Sequence, residues 1–269
     1  MIIKFVYAGR LGNAIFRYLA CSIMCLYYNA SYSVVDYTKK RNLTKGKYFI
    51  NDSLFINISN KILQKTHLLR INDNITIEMS EYYQHDLIYK RNKNAIINFI
   101  KNNPSHYIVT DGINPGDGKH EKFNIIDIAN TPLIFNKVYK NVLHLRLEDF
   151  ITHNLYLNKN RIIKLLKKNI IKENLCIVCK KPNTEFEFEY IKYITDFLYS
   201  ININFYLQHN DVLTDYYIMK EATTLICSKS TLSWCAAFFS DKIQKCYLPD
   251  YIETANSTCK YPIDNTELY

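Results

Sequence analysis

The sequence predicts an α/β protein made of two halves, and three features of the chain lead to this prediction. A buried strand over residues 2–7 is followed by a glycine-containing loop and by an apolar helix over residues 14–28. The second half alternates strand-like with helix-like segments. A turn-rich segment over residues 111–120 separates the two halves. Strands that alternate with helices favour parallel sheets covered on both faces, so each half is expected to be Rossmann-like.

In the first half, the opening strand, loop and helix have the order seen at the start of a nucleotide-binding fold. The full G-x-G-x-x-G is missing, so a dinucleotide is not implied. Residues 33–36 are expected to form the next strand. Residues 39–74 are polar and irregular, and residues 81–101 predict a turn followed by a helix.

In the second half, the segments alternate regularly. Strands are predicted at 138–145, 175–179, 204–208 and 224–227, and helices at 159–171, 188–199, 215–221 and 232–239. The run Glu185 to Glu189 alternates at the strand period, but it is most simply a solvated face at the boundary of an element. The turn cluster places the domain boundary just after it, which gives domains of residues 1–122 and 123–269.

Length and composition fit a folded protein. The chain has 269 residues, which is enough for one large or two small domains, and 48% of them are hydrophobic, which argues against disorder. We find no N-terminal signal pattern and no apolar stretch long enough to cross a bilayer. A soluble, cytoplasmic protein without a membrane span is therefore expected.

The formal net charge of +9 predicts an anionic partner. Nucleic acid, a membrane surface or a phosphorylated substrate would each fit this charge. The lysines are dispersed, and no zinc-finger spacing or RNP-like aromatic pattern accompanies them, which argues against nucleic-acid binding. A nucleoside diphosphate sugar would satisfy the same charge.

The chain contains eight cysteines, most of them within apolar runs. Cys176 and Cys179 form a lone C-x-x-C, but a zinc site needs a second pair or suitably spaced histidines, and none follows. Reduced, buried thiols are therefore expected, and no metal site is assigned to them.

Three short segments lie where a strand is expected to lead into a helix. They are Gly-Arg-Leu-Gly-Asn at 9–13, His-Leu-Arg-Leu-Glu-Asp-Phe at 144–150 and Ser-Lys-Ser-Thr-Leu-Ser-Trp at 228–234. Loops of this kind gather at the carboxyl ends of parallel strands, where ligands bind. We therefore expect the three segments to meet in one cleft.

The first segment resembles the GRLGNQ or GGLGNQ of α-1,2-fucosyltransferases (glycosyltransferase family 11), the second their HxRRGDY and the third their NSSFSWW. Residues 81–84, Glu-Tyr-Tyr-Gln, resemble the GYFQ of the same family. The resemblance covers most of the chain. It implies a GT-B fold, in which two Rossmann-like domains face each other across a cleft, with the N-terminal domain on the acceptor side and the C-terminal domain binding the nucleotide sugar.

The same resemblance implies a chemistry, which is the inverting transfer of L-fucose from GDP-fucose to a glycan hydroxyl. Two positions depart from the family: Leu147 stands where a second Arg is usual, and Glu148 stands where Gly is usual. Lys229 could supply the missing charge. The departures leave open the transfer of another deoxyhexose, or a catalytically inactive protein that binds a nucleotide sugar.

Arg146 is the leading candidate for catalysis. A departing diphosphate needs either a metal or fixed cations and dipoles to stabilise its charge. The sequence has no Asp-x-Asp, so fixed cations are favoured, and no metal or cofactor is expected beside the GDP-sugar donor. Arg146 lies at the end of a predicted strand, and its guanidinium can hold a phosphate in a bidentate fork. The alternative is a surface ion pair with Glu148 or Asp149.

The third segment could contribute Ser228, Lys229, Ser230 and Thr231 to the donor site. Their hydroxyl groups can cap the following helix, whose free N–H groups can receive a phosphate, although simple capping is an equal alternative. Trp234 is expected to be a core residue rather than a platform for a base.

The remaining donor-site candidates come from the first and second segments. Gly9 and Gly12 would let the backbone approach the donor closely, and Asn13 could hydrogen-bond a phosphate or a sugar, unless the segment is an ordinary turn. His144 orients the end of its strand or contacts the nucleotide, or else it is a buried, satisfied histidine. The general base stays open, with Asp149, Glu81 and Asp86 as candidates by residue type.

Overall fold

The structure is a computed structural model that describes residues 1–6, 9–35, 47–49, 52–63, 76–79, 83–111, 120–133, 135–250 and 261–269. The described residues form two compact units, one extending to Asn130 and the other beginning at Thr131. Both units combine helices with parallel strands, so the predicted α/β class is confirmed.

The first unit is built on a four-stranded parallel sheet in the order β2-β1-β4-β3. Strands β5 and β6 form a separate antiparallel hairpin. Its elements are β1 (Ile2–Val6), α1 (Leu11–Tyr28), β2 (Ser31–Val35), β3 (Lys47–Phe49), α2 (Asp52–Leu63), β4 (Thr76–Met79), α3 (Asp86–Arg91), α4 (Lys93–Asn102), β5 (Tyr107–Asp111), β6 (His120–Asn124) and α5 (Ile125–Ala129).

The end of the first unit differs from the predicted domain boundary. The sequence placed that boundary after residue 122, which lies within β6. Because β6 pairs with β5 along its whole length, this strand belongs to the first unit, and the division falls after Asn130. The turn cluster at 112–119 lies outside the described residues.

Helix α1 begins earlier than the sequence predicted. It starts at Leu11 rather than at residue 14, so that Gly12 and Asn13 lie in its first turn and not in a loop. Gly9 precedes the helix with a φ of 78°, a left-handed conformation that favours glycine. Apolar side chains on most faces of α1 are buried, which explains why so few polar residues interrupt it.

The second unit is a six-stranded parallel sheet in the order β12-β11-β10-β7-β8-β9. This is the Rossmann order 3-2-1-4-5-6. Its elements are β7 (Asn141–His144), α6 (Glu148–Thr152), α7 (Lys159–Leu166), β8 (Leu175–Val178), α8 (Glu185–Ser200), β9 (Phe205–Gln208), α9 (Val212–Lys220), β10 (Thr224–Ile226), α10 (Thr231–Phe239), β11 (Lys245–Leu248) and β12 (Thr266–Leu268).

The core of the second unit lies between the sheet and helices α7 and α8. Leu143 and Ile177 from the sheet, Ile163 from α7 and Ile194 from α8 belong to one buried cluster. Helix α9 packs against β7 and β8, and α10 packs against α9. Trp234 of α10 is 2% exposed and stacks on Phe238, so its prediction as a core residue is confirmed.

The start of helix α8 agrees with the predicted solvated face at an element boundary. Glu185 to Glu189 form the first turns of this helix, and all but Glu187 are exposed, although the helix begins at Glu185 rather than at residue 188. Thr184 and Glu187 form a capping box, in which each side chain accepts a hydrogen bond from the backbone of the other residue. Glu187 is 5% exposed, because its carboxylate faces this cap rather than water.

The described cysteines are free and buried, as expected. In the part of the chain that the structure describes, no group of three or more His, Cys, Asp or Glu side chains could hold a metal ion. A search of the same residues finds no helix with the length and hydropathy of a membrane span.

Candidate functional site

The strongest candidate site lies at the carboxyl edge of the second sheet, between β7 and β10. From β7, the chain adds β8 and β9 in one direction and then returns to add β10, β11 and β12 in the other. In open α/β sheets, ligands bind outside the carboxyl ends of the strands at such a reversal. His144 ends β7, and Ser228 follows β10 closely. The second and third segments therefore leave the sheet from neighbouring strands at this point.

A hydrogen bond joins these two segments directly. Ser228 Oγ lies 3.0 Å from His144 Nδ1, and both side chains are buried. Burial lowers the pKa of His144 to about 4, so the imidazole is neutral at physiological pH. The geometry therefore matches a buried, satisfied histidine that fixes the end of β7 against the third segment.

The Ser230 hydroxyl group of the third segment caps helix α10. The Ser230 side chain accepts a hydrogen bond from the Leu232 N–H at 3.2 Å. Lys229 and Thr231 flank it and are half-buried. The structure therefore shows the simple capping that the sequence offered as an alternative. The N-terminus of this nine-residue helix lies just after the carboxyl end of β10.

Arg146 lies just beyond β7, and both branches of its guanidinium are paired. Nη1 lies 2.6 Å from Glu148 Oε2, and Nη2 lies 2.7 Å from Asp149 Oδ1. The Arg146 and Glu148 side chains are 18% and 15% exposed, so this pair is not on the open surface, whereas Asp149 is more exposed. The ion-pair alternative from the sequence is therefore what the structure shows, although in a more enclosed position than expected.

Glu148 holds together several groups that the sequence did not single out. Its backbone has a φ of 39°, in the left-handed region that favours glycine. Its Oε1 lies 3.6 Å from Lys180 Nζ, just beyond β8, and its N–H donates to Glu187 Oε1 at 3.3 Å. Leu147 is buried in the core of the second unit, so it adds no charge to the site. In the sequence, the one sign that Lys180 belongs to this site is its position just after the predicted strand that becomes β8.

The first segment lies at the carboxyl side of the first sheet. That sheet also reverses its winding, between β1 and β4. Asn13 Oδ1 accepts a hydrogen bond from Gln84 Nε2 at 3.4 Å, which brings together the segments resembling GRLGNQ and GYFQ. Gly9 and Gly12 lie at the turn into α1 and in its first turn. That this segment shares one cleft with the other two stays a prediction.

The three candidate general bases differ in their surroundings. Asp149 is paired with Arg146, and its side chain is 37% exposed. Asp86 opens helix α3 and is buried. Glu81 lies outside the described residues. Of the two described candidates, only Asp149 belongs to the edge of the sheet at β7, so the structure favours it by position.

A polar group at the ends of β8 and β9 escaped the sequence analysis. Asp215 accepts a hydrogen bond from Asn210 Nδ2 at 2.9 Å, and burial raises its pKa to about 7. His209 Nδ1 donates to the Cys179 carbonyl oxygen at 2.9 Å. Burial also raises the pKa of Cys179 to about 12, so its sulfur is a thiol at neutral pH. Cys179 belongs to the C-x-x-C, and the pairing of β8 with β9 brings it to His209, whereas Asn210 and Asp215 are close in sequence.

Comparison with known proteins gives little further information. No family model matches the chain, and no curated protein matches it. A crystal structure of POFUT1 in complex with GDP-fucose aligns with 91% of this chain and 96% of its own, at 12% identity and a TM-score of 0.43. A likeness this distant does not establish a shared activity.

Proposed function

We propose that this protein is a glycosyltransferase that moves L-fucose from GDP-fucose to a hydroxyl group of a glycan. One observation carries the proposal. Two segments that resemble α-1,2-fucosyltransferase motifs meet at the winding reversal of a Rossmann-type sheet, where the hydrogen bond between His144 and Ser228 joins them. Nucleotide ligands of such sheets bind at this reversal. The location thus agrees with the chemistry that the motifs imply.

Arg146 is the residue that we assign to the departing diphosphate. In the inverting reaction, the acceptor oxygen attacks the anomeric carbon of fucose while the bond from that carbon to the phosphate oxygen breaks. GDP leaves with the electron pair, and the acceptor proton passes to a base, for which Asp149 is our candidate. The guanidinium can neutralise charge as it grows on GDP, and N–H groups at the start of α10 can add to this effect. We propose that no metal takes part.

A binding protein without turnover is the second candidate. It is favoured by the carboxylates of Glu148 and Asp149, which occupy both branches of the Arg146 guanidinium. A nucleotide sugar could displace them and bind without reacting further. Transfer of a different deoxyhexose is a variant of the first proposal, motivated by the buried Leu147.

A screen of nucleotide-sugar donors against the purified protein tests the proposal. Release of GDP and the formation of a fucosylated product are the two readouts. We expect GDP-fucose to give the highest turnover, in the presence of a glycan acceptor. Saturable GDP-fucose binding without product would support the binding protein instead. Salt-sensitive binding of an oligonucleotide that GDP does not displace would contradict both.

A further inference from the structure

Two cations from neighbouring strands converge on one carboxylate at the carboxyl edge of the second sheet. Arg146 comes just after β7 and Lys180 just after β8, and these strands pair along their length. Arg146 Nη1 lies 2.6 Å from one oxygen of Glu148, and Lys180 Nζ lies 3.6 Å from the other. The Glu148 side chain is only 15% exposed. Its carboxylate is therefore enclosed between the two cations and does not extend into solvent.

The main chain of Glu148 adopts a conformation that costs free energy. A φ of 39° crowds the Cβ of any residue other than glycine and costs about 1 kcal/mol. The hydrogen bond from its N–H to Glu187 Oε1 helps to hold this conformation. Glu187 is itself fixed, since its Oε2 accepts from the Asn183 and Thr184 N–H groups. The chain thus holds a carboxylate at a position where glycine would be the less strained choice.

An arginine beside a lysine is well suited to bind a phosphate group. The guanidinium gives paired hydrogen bonds, and the ammonium group gives a point charge on a flexible side chain. We infer that Arg146 and Lys180 form the diphosphate-binding cation pair, and that the carboxylate of Glu148 occupies this pair until the donor displaces it. The identity of the ligand rests on the proposed function. The second cation, which is missing because Leu147 stands where a second Arg is usual, is then supplied by Lys180 rather than by Lys229.

This arrangement makes Glu148 an internal competitor of the donor. A diphosphate carries more negative charge and more acceptor oxygens than a carboxylate, so it can replace Glu148 on both cations. Only molecules in which Glu148 has left the two cations can bind the donor. Because these molecules are only part of the population, the apparent affinity for the donor is lowered. Removing the carboxylate should therefore strengthen diphosphate binding.

Calorimetric titration of the full chain with GDP, and separately with inorganic pyrophosphate, tests this inference. Glu148→Gln removes the charge, and Glu148→Gly also removes the backbone strain, so the glycine variant should fold well. We expect both variants to bind each probe about tenfold more tightly than the wild type. Glu173→Gln is the matched control. It removes the same charge from the exposed pair of Lys140 and Glu173, whose members precede β7 and β8, and it should leave affinity unchanged.

The second cation is tested by Lys180→Met in the Glu148→Gly background. We expect this change to cancel most of the gain in affinity. The inference is overturned if the Glu148 variants bind both probes like the wild type, or if Lys180→Met has no effect. Fucosyl transfer combined with unchanged affinities would overturn the inference and leave the proposed function standing. Tighter pyrophosphate binding by Glu148→Gly with no donor turned over would uphold the anion site and contradict the transferase.

Discussion

At the scale of single residues, the contacts of Arg146 determine how the second segment is understood. The sequence predicted the residue at a strand end and offered two alternatives, a phosphate ligand or an ion pair. In the structure it is paired with Glu148 and Asp149. The two alternatives are compatible if the carboxylates hold the guanidinium in place until the donor arrives. The sequence could not indicate this arrangement, because Lys180 joins it only through the pairing of β7 with β8.

Replacing Arg146 with Lys should reduce turnover about a hundredfold, since the charge remains but the bidentate fork is lost. GDP release under saturating GDP-fucose is the measurement, and the melting temperature checks that the variant is folded. Arg91→Lys provides a control, because Arg91 is exposed in the last turn of α3. A folded Arg146→Lys variant with the wild-type rate would leave Arg146 with a structural role only.

His144 should make the folded state sensitive to acid. Its pKa is about 4 in the folded protein and about 6.5 when unfolded, so the unfolded chain binds more protons between these values. The resulting stability is fully present above pH 6.5 and is lost as the pH falls towards 4. We expect His144→Gln to lose less stability than the wild type between pH 7 and pH 4. Thermal melts over this range measure the difference, with the exposed His153→Gln as control.

Asp215 should have the opposite effect over nearly the same range. Burial raises its pKa to about 7, above the ordinary value of 3.8, so the folded state binds the extra proton. Its contribution to stability is present below pH 3.8 and is lost as the pH rises through 7. Asp215→Asn should therefore gain stability relative to the wild type as the pH rises from 4 to 7. A constant difference between the two proteins across this range would contradict the raised pKa.

At the scale of elements, local sequence patterns predicted strands β7 to β10 and missed β11 and β12. All residues of β7 and β8 are buried, β8 is apolar throughout, and both strands were expected. Strand β12 has three half-buried residues and depends on its pairing with β11, which no local pattern reveals. The alternating run at Glu185 suggested a strand period, whereas the Thr184-x-x-Glu187 spacing of a capping box predicts the observed helix start.

The capping box of α8 gives a prediction at this scale. Thr184→Ala removes the acceptor for the Glu187 N–H and should lower the free energy of unfolding by about 1 kcal/mol. Urea denaturation measures this change. Ser200→Ala, at the exposed C-terminal end of the same helix, should change stability by less than about 0.5 kcal/mol. Equal effects of the two substitutions would show that the cap adds nothing specific.

At the scale of the whole molecule, the sequence predicted two α/β halves, and the structure divides into two such units. It could not predict the sheet orders, because strands such as β7 and β10 pair across long stretches of chain. The joining of the second and third segments follows from that order. The expectation that the first segment completes the same cleft stays a prediction, as do the acceptor-side and donor-binding roles of the two units.

The proposed reaction should not need a metal. The sequence lacks Asp-x-Asp, and Arg146 with Lys180 supplies positive charge at the expected position of the diphosphate. Turnover of GDP-fucose should therefore survive incubation with EDTA. Loss of turnover on chelation, followed by recovery on addition of manganese or magnesium, would contradict a mechanism that relies on fixed cations.

A crystal structure of the protein with GDP tests the central claim most directly. We predict that the diphosphate lies at the carboxyl edge between β7 and β10, within hydrogen-bonding distance of Arg146 and Lys180, with Glu148 displaced from both. The start of α10 should face the same phosphates. GDP bound away from this edge, or bound while Glu148 remains paired with Arg146, would contradict the account.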